Sequence, residues 1–184
     1  MKIRSLRYLA TFSVLFFCII VTCLTLILSG AVNLSIHSFA VDTNHRLYVG
    51  TENKILVYQN GELVNTINPH TSKGYMFTIC EDETIMLAAP SKVYIMDLKG
   101  DIVREYEDFN MYNKLKTKRN SFTASNGDEY RKVGALGRTR IIKNNQDTVY
   151  RISLLSVIVK FFIIFSAISI LVFPVCLIRI ERNS

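Results

Sequence analysis

Two long apolar runs flank a block in which apolar and polar positions alternate. Leu9–Leu28 continues for twenty residues without a charge, and Phe161–Ile178 for another eighteen. At 1.5 Å rise per residue, twenty helical residues cover about 30 Å, the depth of a hydrocarbon core. The first run is interrupted by the hydroxyls of Thr11, Ser13, Thr22 and Thr25, and the second by Ser166, Ser169 and Pro174. All of these are tolerated in a spanning helix. The pattern predicts transmembrane helices at residues 9–30 and 152–178, the second with an uncharged core at 161–178. Tails at 1–8 and 179–184 would lie outside the bilayer.

The tails decide the expected orientation. Lys2, Arg4 and Arg7 sit in one, and Arg179 and Arg182 against Glu181 in the other. Positive charge in short flanks favours the cytoplasm, so both termini are expected there. The block at 31–151 would then be extracytoplasmic, in an integral protein of the plasma membrane. Ser29 and Ala31 also form a small-x-small pattern at which a leader could be cut. The first run is longer than a signal core of about 7 to 15 residues, which favours an uncleaved anchor. Lys160 either lies within the second span or snorkels to its outer edge. The eighteen apolar residues after it suffice to span, so Lys160 is expected as a membrane-interface anchor.

Within the middle block the period is two. Leu47 and Val49 face one way and Tyr48 the other, and Ile55, Leu56 and Val57 repeat the alternation. Strands are predicted at Ser38–Val41, Arg46–Gly50, Ile55–Gln59 and Leu63–Ile67. Asn60-Gly61, Lys99-Gly100-Asp101 and Asn126-Gly127-Asp128 supply turns that accept positive φ. The whole unit recurs. Phe39, Val41, Leu47 and Val49 fall on Phe77, Ile79, Ile85 and Leu87; after one inserted residue, Gly61 falls on Gly100 and Val64 on Val103. A weaker third copy aligns Phe122 with Phe39, Ile142 with Val57 and Val149 with Val64. The copies span 38–67, 76–106 and 121–152, joined by a short linker and by a longer polar one at 107–120.

A four-stranded antiparallel unit at this spacing is the signature of a propeller blade. Residues 40–64, AVDTNHRLYVGTENKILVYQNGELV, resemble an NHL-type propeller repeat, with Asp42, Asn53-Lys54 and Gly61 in that family's places. The second copy departs from it, with Cys80 for the Asp and Ser91 for the Asn. The resemblance implies a fold and transfers no activity. The expected fold class is therefore a membrane protein with an all-β extracytoplasmic domain, two transmembrane helices flanking about three propeller-like blades. Closed propellers usually need about four to eight blades. Either a homodimer pools three and three, or a single curved domain is capped by its own linkers.

Composition adds little chemistry. The 22 basic and 15 acidic residues leave a net charge of +7, and most of the excess sits in the tails and at Lys160. Cys18, Cys23 and Cys176 lie in the apolar runs, leaving Cys80 alone in the middle block, so no disulfide framework forms there. His37, His45 and His70 lack metal-ligand spacing, and His45 and His70 read as turn and linker residues. Glu81, Asp82 and Glu83 read as a solvated hairpin tip without the glycine and spacing of a calcium loop. Lys114, Lys116, Lys118 and Arg119, preceded by Phe109, Met111 and Tyr112, form the densest basic run. They are expected in a solvated inter-blade loop, with contact to an anionic surface or partner as their candidate role. No phosphate loop, nucleophile elbow or paired catalytic acid is present, and no catalytic, cofactor or metal site is expected. The expected function is a non-enzymatic binding or scaffold module. Its expected partners are the lipid bilayer and either a protein or a second copy, with no nucleic acid. The alternative is a sensor or accessory subunit acting through two membrane helices.

Overall fold

The computed structural model describes residues 16–71, 74–134, 138–166 and 168. The chain divides into two compact units, one formed by the two end segments through Val32 and from Ser153, the other by Asn33–Ile152.

In the end segments, helix α1 covers residues 16–28 and helix α3 covers 154–166; α2 (Met111–Lys118) belongs to the other unit. The expected pair of membrane spans is not found. Among the described residues no helix is long and apolar enough to cross a membrane. The expected fold class and the expected integral-membrane location, with cytoplasmic ends and an extracytoplasmic middle, therefore lose their support. Lys160 lies six positions into α3 and is half-buried. The remaining parts of the expected spans, 9–15, 167 and 169–178, and both tails, 1–8 and 179–184, lie outside the described residues.

The second unit holds three four-stranded antiparallel sheets, each a simple meander. The first contains β1 (Phe39–Val41), β2 (Leu47–Gly50), β3 (Ile55–Gln59) and β4 (Glu62–Ile67). The second contains β5 (Met76–Ile79), β6 (Ile85–Ala88), β7 (Lys92–Met96) and β8 (Ile102–Glu107). The third contains β9 (Ser121–Thr123), β10 (Glu129–Val133), β11 (Arg140–Lys143) and β12 (Asp147–Arg151). These sheets are blade-like, and the turns between strands follow their residues. Asn60 and Gly61 both take positive φ, 52° and 85°, the backbone of a hairpin turn that matches strand twist. In every blade the third and fourth strands carry a register shift, at Val57/Tyr58, Ile95/Met96 and Ile141/Ile142. Such bulges increase the local twist.

Blade 1 lies in the middle, not blade 2 as chain order would suggest. Its β1 lies against both β5 and β9. One face of blade 1, with Phe39, Val41, Leu47 and Val49, packs with Tyr130 and Ile141 of blade 3. The opposite face, with Ala40, Tyr48 and Val57, packs with Phe77, Ile85 and Leu87 of blade 2. A sheet buried on both sides needs apolar residues at consecutive positions, which explains FAV, LYVG and ILV in its first three strands. The outer blades bury one face and alternate more visibly, as in β10, where only Tyr130 is buried.

The first two copies pair in the register that the repeat predicts; the third is off by one. The β1–β2 hairpin pairs Val41 with Leu47 as its last rung, and the β9–β10 hairpin pairs Thr123 with Glu129. Ser121 thus takes the place of Phe39, and Phe122 that of Ala40. A one-residue slip turns a side chain to the opposite face. Phe122 therefore points into the space between blades and packs against both core clusters.

The expected loop at 107–120 contains helix α2 (Met111–Lys118), which lies against β5 and β6. Asp108 accepts the N–H groups of Asn110 and Met111 at 2.8 and 3.1 Å and so starts the turn. Lys116 and Lys118 occupy the last turn, where cations oppose the exposed carbonyl ends.

Candidate functional site

The innermost strands of the three blades converge with α2 around one cavity of about 450 Å³. That lies in the range of roughly 300–1,000 Å³ usual for small-molecule sites. Phe39 from β1, Phe77 from β5, Phe122 from β9 and Leu115 from α2 supply its apolar wall. Hydroxyls come from Ser38, Thr78, Ser121 and Thr123, and positive charge from Lys118 and Arg119. None of the lining residues is acidic.

Ser38 ties two blades together. Its Oγ accepts the Phe77 N–H at 3.1 Å, while its carbonyl accepts Gly50 N–H at 2.9 Å. Ser38 is only 3% exposed, and its hydroxyl proton has no acceptor among the described residues. Gly50 is required beside it, since a Cβ there would meet Phe77 Cε1 at 2.8 Å.

Lys132 and His37 lie near Arg119, with Glu52 the acidic group among their neighbours. Lys132 donates to the Ile36 carbonyl at 3.1 Å, and burial followed by the nearby Arg119 lowers its pKa. Burial also lowers the pKa of His37; Glu52 opposes that effect, and Lys132 and Arg119 add to it. The His37 ring stands edge-on to Tyr75 at 5.6 Å, and its Nδ1 is buried without a hydrogen-bond partner among the described residues. Lys118, Arg119 and Lys132 make no ion pair with a carboxylate among the described residues.

Of the four residues in the basic run, the structure brings Lys118 and Arg119 to the cavity. Lys114 and Lys116 are exposed on α2 away from it, and Lys116 Nζ lies 5.8 Å from the Tyr112 ring. Lys160 belongs to the other unit. The acidic hairpin does not line the cavity: Asp82 accepts the N–H and hydroxyl of Thr84, and Glu83 accepts the Thr43 hydroxyl across the two blades. His45 lies in the β1–β2 turn at φ 59°, and His70 Nε2 lies 3.1 Å from the Gly100 carbonyl. Among the described residues no group of His, Cys, Asp and Glu could hold a metal ion.

Sequence reading missed the aromatic and hydroxyl lining. A signal did exist, because the repeat places Phe39 and Phe77 at one position on the innermost strands. The third aromatic, Phe122, was matched to that position and arrives from the neighbouring one.

These features define a blade-repeat β domain with a cationic, aromatic-lined central cavity. No protein-family model matches the chain, and a search of curated proteins finds no match. Among solved structures it is similar to a protein of unknown function from Bacteroides caccae, at 13% identity and a TM-score of 0.34, over 65% of this chain and 46% of that one. It is also similar to virginiamycin B lyase from Staphylococcus aureus, at 13% identity and a TM-score of 0.33, over 60% of this chain and 38% of that one. The chain thus spans less than half the length of either. Neither likeness is close enough to transfer an activity.

Proposed function

We propose that this protein is a non-enzymatic binding module whose ligand site is the central cavity between the three blades and α2. One observation carries the reading: inner strands from all three sheets and the linker helix line a single cavity of about 450 Å³. Its lining holds hydroxyls and cations but neither imidazole nor carboxylate. The blades are taken as NHL-type repeats, a reading supported by Asp42 and Gly61 in that family's places.

Ligand-observed NMR with a fragment set, run on the full chain and on Ser121→Trp, tests the site. Ser121 is an exposed lining position, so the indole fills the cavity without entering the buried strands. Fragments bound by the parent protein should lose binding in the variant. Unchanged binding, or no binding to either, overturns the reading.

A second reading, self-association, is favoured by the outermost strands. Leu63 and Val64 on β4 and Ile102 and Val103 on β8 are exposed on strands with one edge unpaired among the described residues. Such edges can pair with another copy. A monomeric solution mass removes this reading.

A further inference from the structure

Resting on that placement of the site, we propose that the cavity takes a small organic anion: a carboxylate or phosphate head on a flat, apolar body. The charge argument begins with the lining, which contributes Lys118 and Arg119 and no acid. Lys132 adds to the same field, since Arg119 is close enough to perturb it. One local feature opposes an anion. Lys118 and Arg119 stand at the C-terminal end of α2, where the carbonyls carry roughly half a negative charge. Two or three full cations outweigh that half charge, so the site remains positive.

A surface lysine run alone would be unremarkable. Here two independent features point inward. Ser38 is buried at the cavity wall, where its Oγ accepts the Phe77 N–H and its hydroxyl proton meets no acceptor among the described residues, so it can donate to an oxygen of the ligand head. Guanidinium and ammonium groups then bind the same head by charge-assisted hydrogen bonds. The remaining wall is aromatic, with Phe39, Phe77 and Phe122 contributed by three different blades. Inorganic anions would leave that wall unfilled, and neutral aromatics would leave Lys118 and Arg119 unpaired. An amphipathic anion satisfies both.

The test titrates the full chain with phenyl phosphate, benzoate, benzyl alcohol and inorganic phosphate, read by calorimetry or by NMR shifts. The expected result is that phenyl phosphate or benzoate binds at least tenfold tighter than benzyl alcohol and than inorganic phosphate. The ranking of the first two tells which head group fits. Lys118→Gln with Arg119→Gln should remove most of that anion preference and leave benzyl alcohol unchanged. Both residues are exposed, so this double variant keeps the core intact, and circular dichroism checks that it does. Equal binding of benzyl alcohol and the anions, abolished by Ser121→Trp, would overturn the anion inference while the cavity stays a ligand site. Equal binding of inorganic and phenyl phosphate would overturn the apolar half. No binding of any probe, with a fragment screen that does find cavity ligands, also overturns the inference alone. A fragment screen that finds none overturns both readings.

Discussion

The first hairpins of blades 1 and 3 share one backbone frame and hold it with different chemistry. In blade 1 the His45 N–H reaches the Asp42 carbonyl at 3.1 Å, and the Asp42 N–H reaches the Arg46 carbonyl at 3.2 Å. In blade 3, Gly127 reaches Ala124 and Ala124 reaches Asp128, both at 2.9 Å. Blade 1 places its carboxylate before the turn and buries it. Asp42 accepts bonds from the Asn44 and Arg46 N–H groups, the Arg46 guanidinium and the Tyr48 hydroxyl. Blade 3 has Ala124 at that place and moves the carboxylate four residues on. Asp128 there accepts bonds from Asn126 and Asn144 and pairs with Lys143 at 2.7 Å. The frame thus tolerates a carboxylate on either side of the turn. What differs is the surroundings, because blade 1 is sandwiched and the blade 3 hairpin faces water.

That contrast can be broken or sharpened by substitution. The largest effect is expected from Asp42→Ala, which leaves the buried Tyr48 hydroxyl and the Arg46 guanidinium without their acceptor. Removing one partner from such a buried network costs about 3 kcal/mol. Urea unfolding should show that loss, and a much smaller one for Asp128→Ala; equal losses would erase the distinction between the two hairpins.

A smaller, opposite effect is expected at the turn. His45 and Gly127 occupy the same place with φ of 59° and 86°. A left-handed residue with a Cβ costs roughly 1 kcal/mol, part of which a glycine returns as unfolded-state entropy. His45→Gly should therefore raise stability by up to about 1 kcal/mol, read as a higher urea midpoint. A loss of stability would mean that the imidazole contributes something in the turn that its strained backbone conceals.

The smallest effect is one of pH. Hydrogen bonds from Lys143, then from Asn144 and Asn126, hold the Asp128 carboxyl at about 2, below its ordinary 3.8. A depressed carboxyl adds stability that is fully present above the unfolded value and lost as pH falls through the folded one. The window is therefore roughly pH 4 down to pH 2. Asp128→Asn should flatten part of the acid slope in that window. Asp82 and Asp97, also held low by local hydrogen bonds, should keep the remainder. High salt should shrink the Asp128 contribution, since the pair is solvent-screened. An acid slope unchanged in Asp128→Asn would show that its bonds do not persist in solution.

Local chemistry was legible in the sequence wherever it was self-sufficient. Period-two alternation and the Asn60-Gly61 turn place the strands of blade 1, and the copy at 76–106 follows it in register. Blade 3 shows where such reading stops. The pair Ser121-Phe122 imitates Ser38-Phe39, yet the hydrogen-bond frame set by Ala124 and Asp128 shifts the match by one. The apolar runs failed for another reason. Hydropathy reads composition alone, and among the described residues no helix is long and apolar enough to cross a membrane.

Of the candidate site, the basic run at 114–119 could be seen in the chain, but not which of its members face a cavity. Lys118 and Arg119, at the C-terminal end of α2, are exposed and line the cavity, whereas Lys114 and Lys116 lie away from it. The sequence by itself determined three blade-like units and their turns, because strand period and positive-φ residues act over a few positions. Only the tertiary structure decided that blade 1 lies between the other two, that the polar linker becomes a helix against blade 2, and that Phe39, Phe77 and Phe122 meet. Those outcomes depend on which faces bury each other across tens of residues, and no local pattern encodes that choice.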